Sequence, residues 1–251
     1  MYPILAKFGP VTVYSYGFMV AVGFGLAVYL ASRRSSSFGI PRNDVIDLSV
    51  CVLLAGLIGA RLTYVLTNLD YYRTNAAEIV WINRGGLVFY GGFLFGAAAA
   101  FVFLKLKKLS FWNVADLIAP YSALAHAIGR VGCFLNGCCK GAPADPGAFF
   151  AVSFPGDQIA RYPAQIYSAL ALILIFVGLR ARQANRRFEG EVFLLYCTAY
   201  PLFRFFIEFA RNEPALAAGL TFSQAASVVV IAAAAAALLI MRKRCKNSLS
   251  R

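Results

Sequence analysis

Charge is scarce in this 251-residue sequence: 14% of residues are Asp, Glu, Lys or Arg, against about 25% in soluble globular domains. Together with a hydrophobic share of 60%, that shortage excludes an ordinary water-soluble domain and points to lipid as the solvent. Acids are scarcer than bases, 11 against 24, so the formal net charge is +13. Hydropathy of this size sets aside nucleic acid as the partner and leaves the basic side of a membrane protein. Strand alternation is missing from the apolar windows, whose length excludes the roughly ten-residue segments of an outer-membrane barrel. No internal repeat at fixed period is present. The one low-complexity run, Ala232 to Ala237, reads as part of a lipid-facing or closely packed terminal helix. Histidine occurs once, at His126.

Three windows of at least 20 residues contain no charged residue at all: Phe8 to Ser32, Gly85 to Leu104 and Pro214 to Met241. Four more also read as spans: Tyr162 to Leu179, shorter and itself uncharged, and, with a charge or two inside, Leu48 to Leu69 around Arg61, Leu109 to Gly129 around Asp116, and Val192 to Phe209 around Arg204 and Glu208. A bilayer core takes about 20 apolar residues per helix. The expectation is one all-α, polytopic membrane domain over residues 1–251 with about seven transmembrane helices.

Short basic loops follow spans one, three, five and seven, and they hold 15 of the 24 positive residues. With Asp44, Asp47, Glu189 and Glu191 they carry a net +11. Short cytoplasmic loops retain positive charge, which places the amino terminus outside and the carboxyl tail in the cytoplasm. The first span should persist as a helix, because only Lys7 precedes it and no Ala-x-Ala cleavage site ends it. The opposite connections, Asp70 to Arg84 and Arg130 to Arg161, are longer and rich in Gly, Pro, Asn and aromatics. Loops presented by a rigid scaffold commonly carry sites, so function is expected near the outer face.

Within or at the edge of the spans stand Arg61, Asp116, Arg130, Arg204 and Glu208. Each charge costs at least about 2.5 kcal/mol at a helix centre and calls for a partner or a wet cavity. Arg204 and Glu208 are four apart on one helix face, with Arg211 one turn on, and could form a structural ion pair. Arginine outnumbers acid in this set, which implies an anionic guest. Guanidinium forks suit phosphate, and the abundant anionic phosphate ester of a membrane is a lipid headgroup. Arg61, Arg130 and Arg204 are therefore the candidate ligands of an anionic phospholipid.

The densest motif runs from Gly129 to Gly141 (G-R-V-G-C-F-L-N-G-C-C-K-G), whose four glycines suit either an anion-binding nest or a glycine-rich helix end. A second cluster, Gly85 to Gly92 (G-G-L-V-F-Y-G-G), is explained as well by helix packing. These clusters, with their order and spacing, resemble the prolipoprotein diacylglyceryl transferases of bacterial inner membranes. The resemblance covers most of the chain. It takes in Val11 to Phe24, Gly59 to Tyr64, Asp116 to Pro120, Arg161 to Tyr167 (R-Y-P-A-Q-I-Y), and Tyr200 to Arg204 with Glu208.

The resemblance implies transfer of the diacylglyceryl group of phosphatidylglycerol to the thiol of the lipobox cysteine in prolipoprotein signal peptides, releasing glycerol phosphate. It implies no cofactor and no metal. Partners would be these two substrates and membrane lipids, in the bacterial inner membrane with the site toward the outer leaflet. By resemblance Arg130 is the signature arginine on the phospholipid and Arg204 a second phosphate-facing arginine. Tyr200 and Tyr16 would line the same cavity, and Arg61, Asn136, Gly141 and Glu208 complete the substrate-binding set.

The family signature, Gly-Arg-x-Gly-Asn-Phe-x-Asn-x-Glu-x-x-Gly, departs here at Cys133 for the first Asn and Cys138 for the Glu. The family's His-Gly-Gly is Tyr90-Gly91-Gly92, and its Arg-His-Pro carries Tyr162. Tyrosine, near pKa 10, is a poor base at neutral pH. Tyr90 therefore competes with His126, one turn before Arg130, for the role of base, and Tyr90 could instead orient the thiol or bond the phosphate. Cys51, Cys197 and Cys245 read as inert thiols. Cys133, Cys138 and Cys139 leave open packed thiols, a disulfide or a soft-metal site, although Cys-x4-Cys-Cys is not a standard zinc spacing. Rival functions are a paralogue on this scaffold with another acceptor, a thiol-redox role for those cysteines, and a transporter of anionic solutes. A transporter should show two repeated halves, and none is found.

Overall fold

A computed structural model describes residues 1–9, 11–81, 85–145, 147–211, 214 and 219–249. Parts of the expected Asp70 to Arg84 connection, of the Pro214 to Met241 span and of the basic tail lie outside these residues. Two short strands, β1 (Ile4–Phe8) and β2 (Val11–Tyr14), pair antiparallel with Ile4 opposite Tyr14 and an irregularity between Ile4 and Ala6. Eight α-helices follow: α1 (Ser15–Arg34), α2 (Arg42–Thr67), α3 (Leu69–Thr74), α4 (Phe89–Leu106), α5 (Phe111–Asn136), α6 (Ala164–Ala184), α7 (Glu191–Ile207) and α8 (Phe222–Leu249).

Every expected span holds one long helix. The first begins seven residues late, since the β-branched Val11, Thr12 and Val13 follow a Gly9 turn at φ 58° and take strand geometry instead. Among the described residues six helical segments are long and apolar enough to cross a membrane, and α5 is not one of them. That helix has the length, 26 residues, but carries Asp116, His126 and Arg130. Large apolar side chains such as Ile58, Phe93, Leu174 and Val229 lie on the outside of their helices, as lipid contact requires. The chain is a helical, multi-pass membrane protein.

The chain forms two compact units, residues 32–114 and the remainder. In the smaller one, α2 and α4 pack through glycines. A Cβ on Gly59 would lie 2.7 Å from Gly91 O and overlap Phe95, and one on Gly92 would lie 3.0 Å from Gly56 O. Gly91 and Gly92 thus serve close helix approach.

In the larger unit, α5, α6 and α7 share a core in which Ala119, Ala123, Ala127, Leu172, Leu179 and Val192 are buried. A proline inside α5 shapes this core. Pro120 lacks the N–H that would bond Asp116 O four residues back, and the buried Gln183 Nε2 donates there instead, at 2.9 Å. The carboxylate of Asp116, wholly buried, accepts from Gly190 N at 2.8 Å and Phe193 N at 2.9 Å and pairs with Arg186 Nη1 at 3.2 Å. It caps α7, whose first N–H groups would otherwise lack acceptors. The intramembrane acid that had no arginine beside it in sequence is satisfied by residues about 70 positions away.

Candidate active site

Two ladders of side chains spaced four residues apart face each other in the larger unit. On α5, Arg130 Nε donates to His126 Nε2 at 3.2 Å. On α7 the ladder is Tyr200, Arg204 and, one turn on, Glu208. The imidazole of His126 meets the Tyr200 ring edge to face, centroids 5.0 Å apart, and Tyr196 stacks on Tyr200 at 6.0 Å. His126 also lies within electrostatic reach of both Arg130 and Arg204. Its Nε2 lone pair already accepts from Arg130, so the histidine positions that arginine and is not available there as a base.

Arg204 is held at both ends of its fork: Nη1 pairs with Glu208 Oε2 at 2.6 Å and Nη2 donates to Ser223 Oγ at 2.9 Å. Glu208 is buried; its other oxygen accepts from Thr221 Oγ1 at 2.8 Å, and Arg211 Nε stands 4.0 Å from Oε2. Thr221 and Gln224 bond each other's backbone N–H groups, a capping box that starts α8 and fixes Thr221 for this contact. The ion pair expected of Arg204 and Glu208 is present. Among the described residues it leaves three guanidinium groups, Arg130, Arg204 and Arg211, against one carboxylate. Among the described residues the Nη atoms of Arg130 make no hydrogen bond, and only Nε is engaged, on His126.

Tyr16, exposed at the start of α1, is within electrostatic reach of Arg130 and of Cys133, Cys138 and Cys139. The helix approach there depends on Gly132, where a Cβ would come 2.9 Å from Met19 Cβ. Asn136 is the last residue of α5. Gly141 is buried where a Cβ would meet Ala210 O at 2.9 Å and overlap Tyr162 O, and its N–H donates to Tyr162 O at 3.0 Å. Its place is in the seam between the signature loop and the end of α7.

The same loop is tied by Gln165 Nε2 to Cys138 O at 2.7 Å and by Asp157, which pairs with Lys140 at 3.0 Å and Arg161 at 2.9 Å. The hydrogen bond from Lys140, with help from Arg161, holds the Asp157 carboxyl below the usual carboxylate range. The Cys139 thiol is drawn down in turn, first by a hydrogen bond from Cys133 and then by Cys138, Arg130 and Arg211.

Arg61 and Tyr90 belong to the smaller unit. Arg61 is buried, with Nε on Ile79 O (2.7 Å), Nη1 on Gly85 O (3.0 Å) and Gly86 O (3.1 Å), and Nη2 on Glu78 O (2.6 Å). The rings of Tyr72 and Tyr64 lie 5.3 and 5.7 Å from its guanidinium carbon. Four carbonyls take most of its donors, so Arg61 fastens the loop between α3 and α4 onto α2. Gly86, at φ 79°, has no room for a side chain because a Cβ would lie 2.6 Å from Arg61 Nη1 and from the Tyr64 ring. These residues, with Asn68, Tyr71 and Trp81, line a cavity of about 420 Å³. Tyr90 is exposed in the first turn of α4 beside Phe89, ring centroids 5.8 Å apart.

Sequence reasoning missed Gln165, Thr221 and Ser223. The capping-box spacing Thr221-x-x-Gln224 was a readable signal for one of them, and Gln165 stood inside the family-like segment Arg161 to Tyr167 without a role assigned to it; nothing local marked Ser223.

The model of the family described as prolipoprotein diacylglyceryl transferase matches residues 3–240. The chain is similar to the phosphatidylglycerol–prolipoprotein diacylglyceryl transferase of Clostridioides difficile (strain 630), 31% identical over 235 residues that cover 94% of this chain and 93% of the relative. It is likewise similar to the proteins of that name from Bordetella parapertussis, 35% identical over 237 residues with 90% of each covered, and Oceanobacillus iheyensis, 33% identical with 84% and 77% covered.

Proposed function

The chain belongs to the prolipoprotein diacylglyceryl transferase family, and we propose that it moves the diacylglyceryl group of phosphatidylglycerol onto the lipobox cysteine thiol of prolipoproteins. The sulfur forms a bond to the diacylglyceryl carbon, the bond from that carbon to the phosphate oxygen breaks, and glycerol phosphate leaves with the thiol's proton accounted for in solvent or on the phosphate. The observation that carries this reading is the excess of guanidinium over carboxylate where α5 faces α7. Negative charge grows on the phosphate as it departs, and preorganised donors stabilise it most where charge develops. Arg130, with an open fork, takes the phosphate. Arg204, oriented by Glu208 and Ser223, supplies the second positive charge, and Tyr200 and Tyr16 line the cavity. Asn136 and Gly141 shape the loop beside it, and Arg61 acts through the loop it fastens. Tyr90, at the family's histidine position, orients the acceptor thiol. Both units work as one transferase domain in the bacterial inner membrane, with the site toward the outer leaflet.

The test is expression in cells depleted of their own transferase, following prolipoprotein by mass. A diacylglyceryl gain is expected. No gain, from protein shown to be folded and inserted, would sink the assignment and favour a paralogue with another acceptor, a reading that Cys133, Cys138 and Tyr90 already invite by departing from the family pattern.

A further inference from the structure

The sulfurs of Cys133, Cys138 and Cys139 lie within 4.8 Å of one another, and all three thiols are free. Their convergence comes from the backbone. Helix α5 closes with Gly137 at φ 73°, its N–H on Phe134 O (3.1 Å) and the Cys138 N–H on Cys133 O (3.1 Å). That is the paired bonding of a Schellman cap, which folds the residue after the glycine back onto the one five positions earlier. The contact made there is ordinarily apolar; here both residues are cysteine. Cys139 then sits at φ 59°, a left-handed conformation that a residue with a Cβ rarely adopts, and this turn brings the third sulfur to the same point. The buried Gln165 holds the Cys138 carbonyl from the side of α6.

Three sulfurs around one ion at a zinc–sulfur distance of about 2.3 Å stand roughly 4 Å apart, so the cluster needs to contract by less than about 1 Å. Among the described residues no His, Asp or Glu joins the three cysteines, which leaves the fourth tetrahedral position open. Structural zinc sites are closed by four protein ligands, whereas sites with three keep a place for substrate. Three thiolates and Zn²⁺ carry a net −1, and Arg130 and Arg211 are within electrostatic reach of Cys139 to offset it.

We propose that Cys133, Cys138 and Cys139 bind one zinc ion whose open position takes the acceptor thiol. This rests on the transferase reading above. A thiol that coordinates zinc is deprotonated, its proton passing to solvent, which supplies the nucleophile that a tyrosine at position 90 cannot. The bound sulfur then attacks the diacylglyceryl carbon as the carbon–oxygen bond to phosphate breaks. The product thioether is neutral and leaves the metal.

The experiment uses full-length protein purified anaerobically in detergent. Expected are about one zinc per chain, its loss in Cys133→Ser, Cys138→Ser and Cys139→Ser, and its retention in Cys51→Ser. The cobalt-substituted protein should show thiolate-to-metal charge-transfer absorption that shifts when β-mercaptoethanol is added. Three freely titrating thiols with no zinc in the wild-type protein, a disulfide among them, or copper in place of zinc would overturn the site, and none of these needs a variant. If zinc binds but cobalt absorption ignores the added thiol, the open position is wrong. Transferase activity is read separately. Full activity in metal-free protein overturns the catalytic role, whereas zinc and thiol binding without any transfer leaves this site standing and the transferase reading fallen.

Discussion

Arg130 differs from the other arginines in what holds it. Arg61 spends four bonds on carbonyls and Arg204 two on Glu208 and Ser223, while among the described residues Arg130 is anchored only through Nε. One anchored edge and one open edge is the arrangement for gripping a phosphate bidentately. Arg130→Ala is expected to lower turnover with phosphatidylglycerol by roughly 10²–10³-fold, the usual cost of removing a preorganised donor to a developing anion. Arg130→Lys should recover only part of it, because an ammonium cannot reproduce the fork. Steady-state kinetics and lipid binding on purified variants check this, and unchanged values in Arg130→Ala would remove the arginine from the site. Arg130 and Arg204 were readable in sequence as charges that lipid does not tolerate. The part of His126 was not: the one-turn spacing to Arg130 was plain, but only the meeting of α5 with α7 shows the imidazole wedged against Tyr200 with its lone pair already used.

Helix α5 shows why single residues misinform at the scale of an element. Asp116 and Pro120 look like damage in a span, an uncompensated charge and a missing hydrogen bond. Both are answered from the end of α6 and its connection to α7: Gln183, in the last turn of α6, takes up the carbonyl freed by Pro120, and Asp116 returns a cap to α7. The helix positions of the site therefore hang on a buried polar joint at the far end of α5 from Arg130. Asp116→Asn keeps the shape but sets its amide NH2 against one of the two backbone donors, Gly190 N or Phe193 N, and removes the ion pair with Arg186. It is expected to destabilise the protein by about 2–3 kcal/mol, seen as a lower Tm in detergent. Arg186→Gln should cost less, since that guanidinium is partly exposed. An unchanged Tm in Asp116→Asn would mean that the cap contributes nothing to α7. Helix existence was legible from charge-free windows because lipid selects for them. The joint was not, because its members are about 70 residues apart and share no local pattern. Cys133, Cys138 and Cys139 stood together in sequence with packed thiols, a disulfide and a soft-metal site all open, and the choice was not legible because the spacing matches no common zinc motif and the sulfurs meet through a helix cap.

At the scale of the whole molecule the charge excess divides into two kinds. Of the net +13, +11 sits at the C-terminal ends of α1, α4, α6 and α8, in the connections that follow them and in the first turns of α2 and α7, while the arginines facing one another between α5 and α7 add little to the total. Exporting eleven net positive charges against an inside-negative potential of 100 mV would cost roughly 25 kcal/mol, at about 2.3 kcal/mol per charge. No single span repays that, and on this ground we propose that the basic segments face the cytoplasm and the signature loop the other side. Two exposed positions of the larger unit report the two sides: Asp145 in the signature loop and Lys243 in the basic tail. With a membrane-impermeant maleimide, the added thiol of Asp145→Cys should be labelled in intact spheroplasts, and that of Lys243→Cys only after lysis. The reverse pattern would turn the molecule over and put the arginine cluster within reach of cytoplasmic acceptors, where a prolipoprotein thiol that has already crossed the membrane could not meet it.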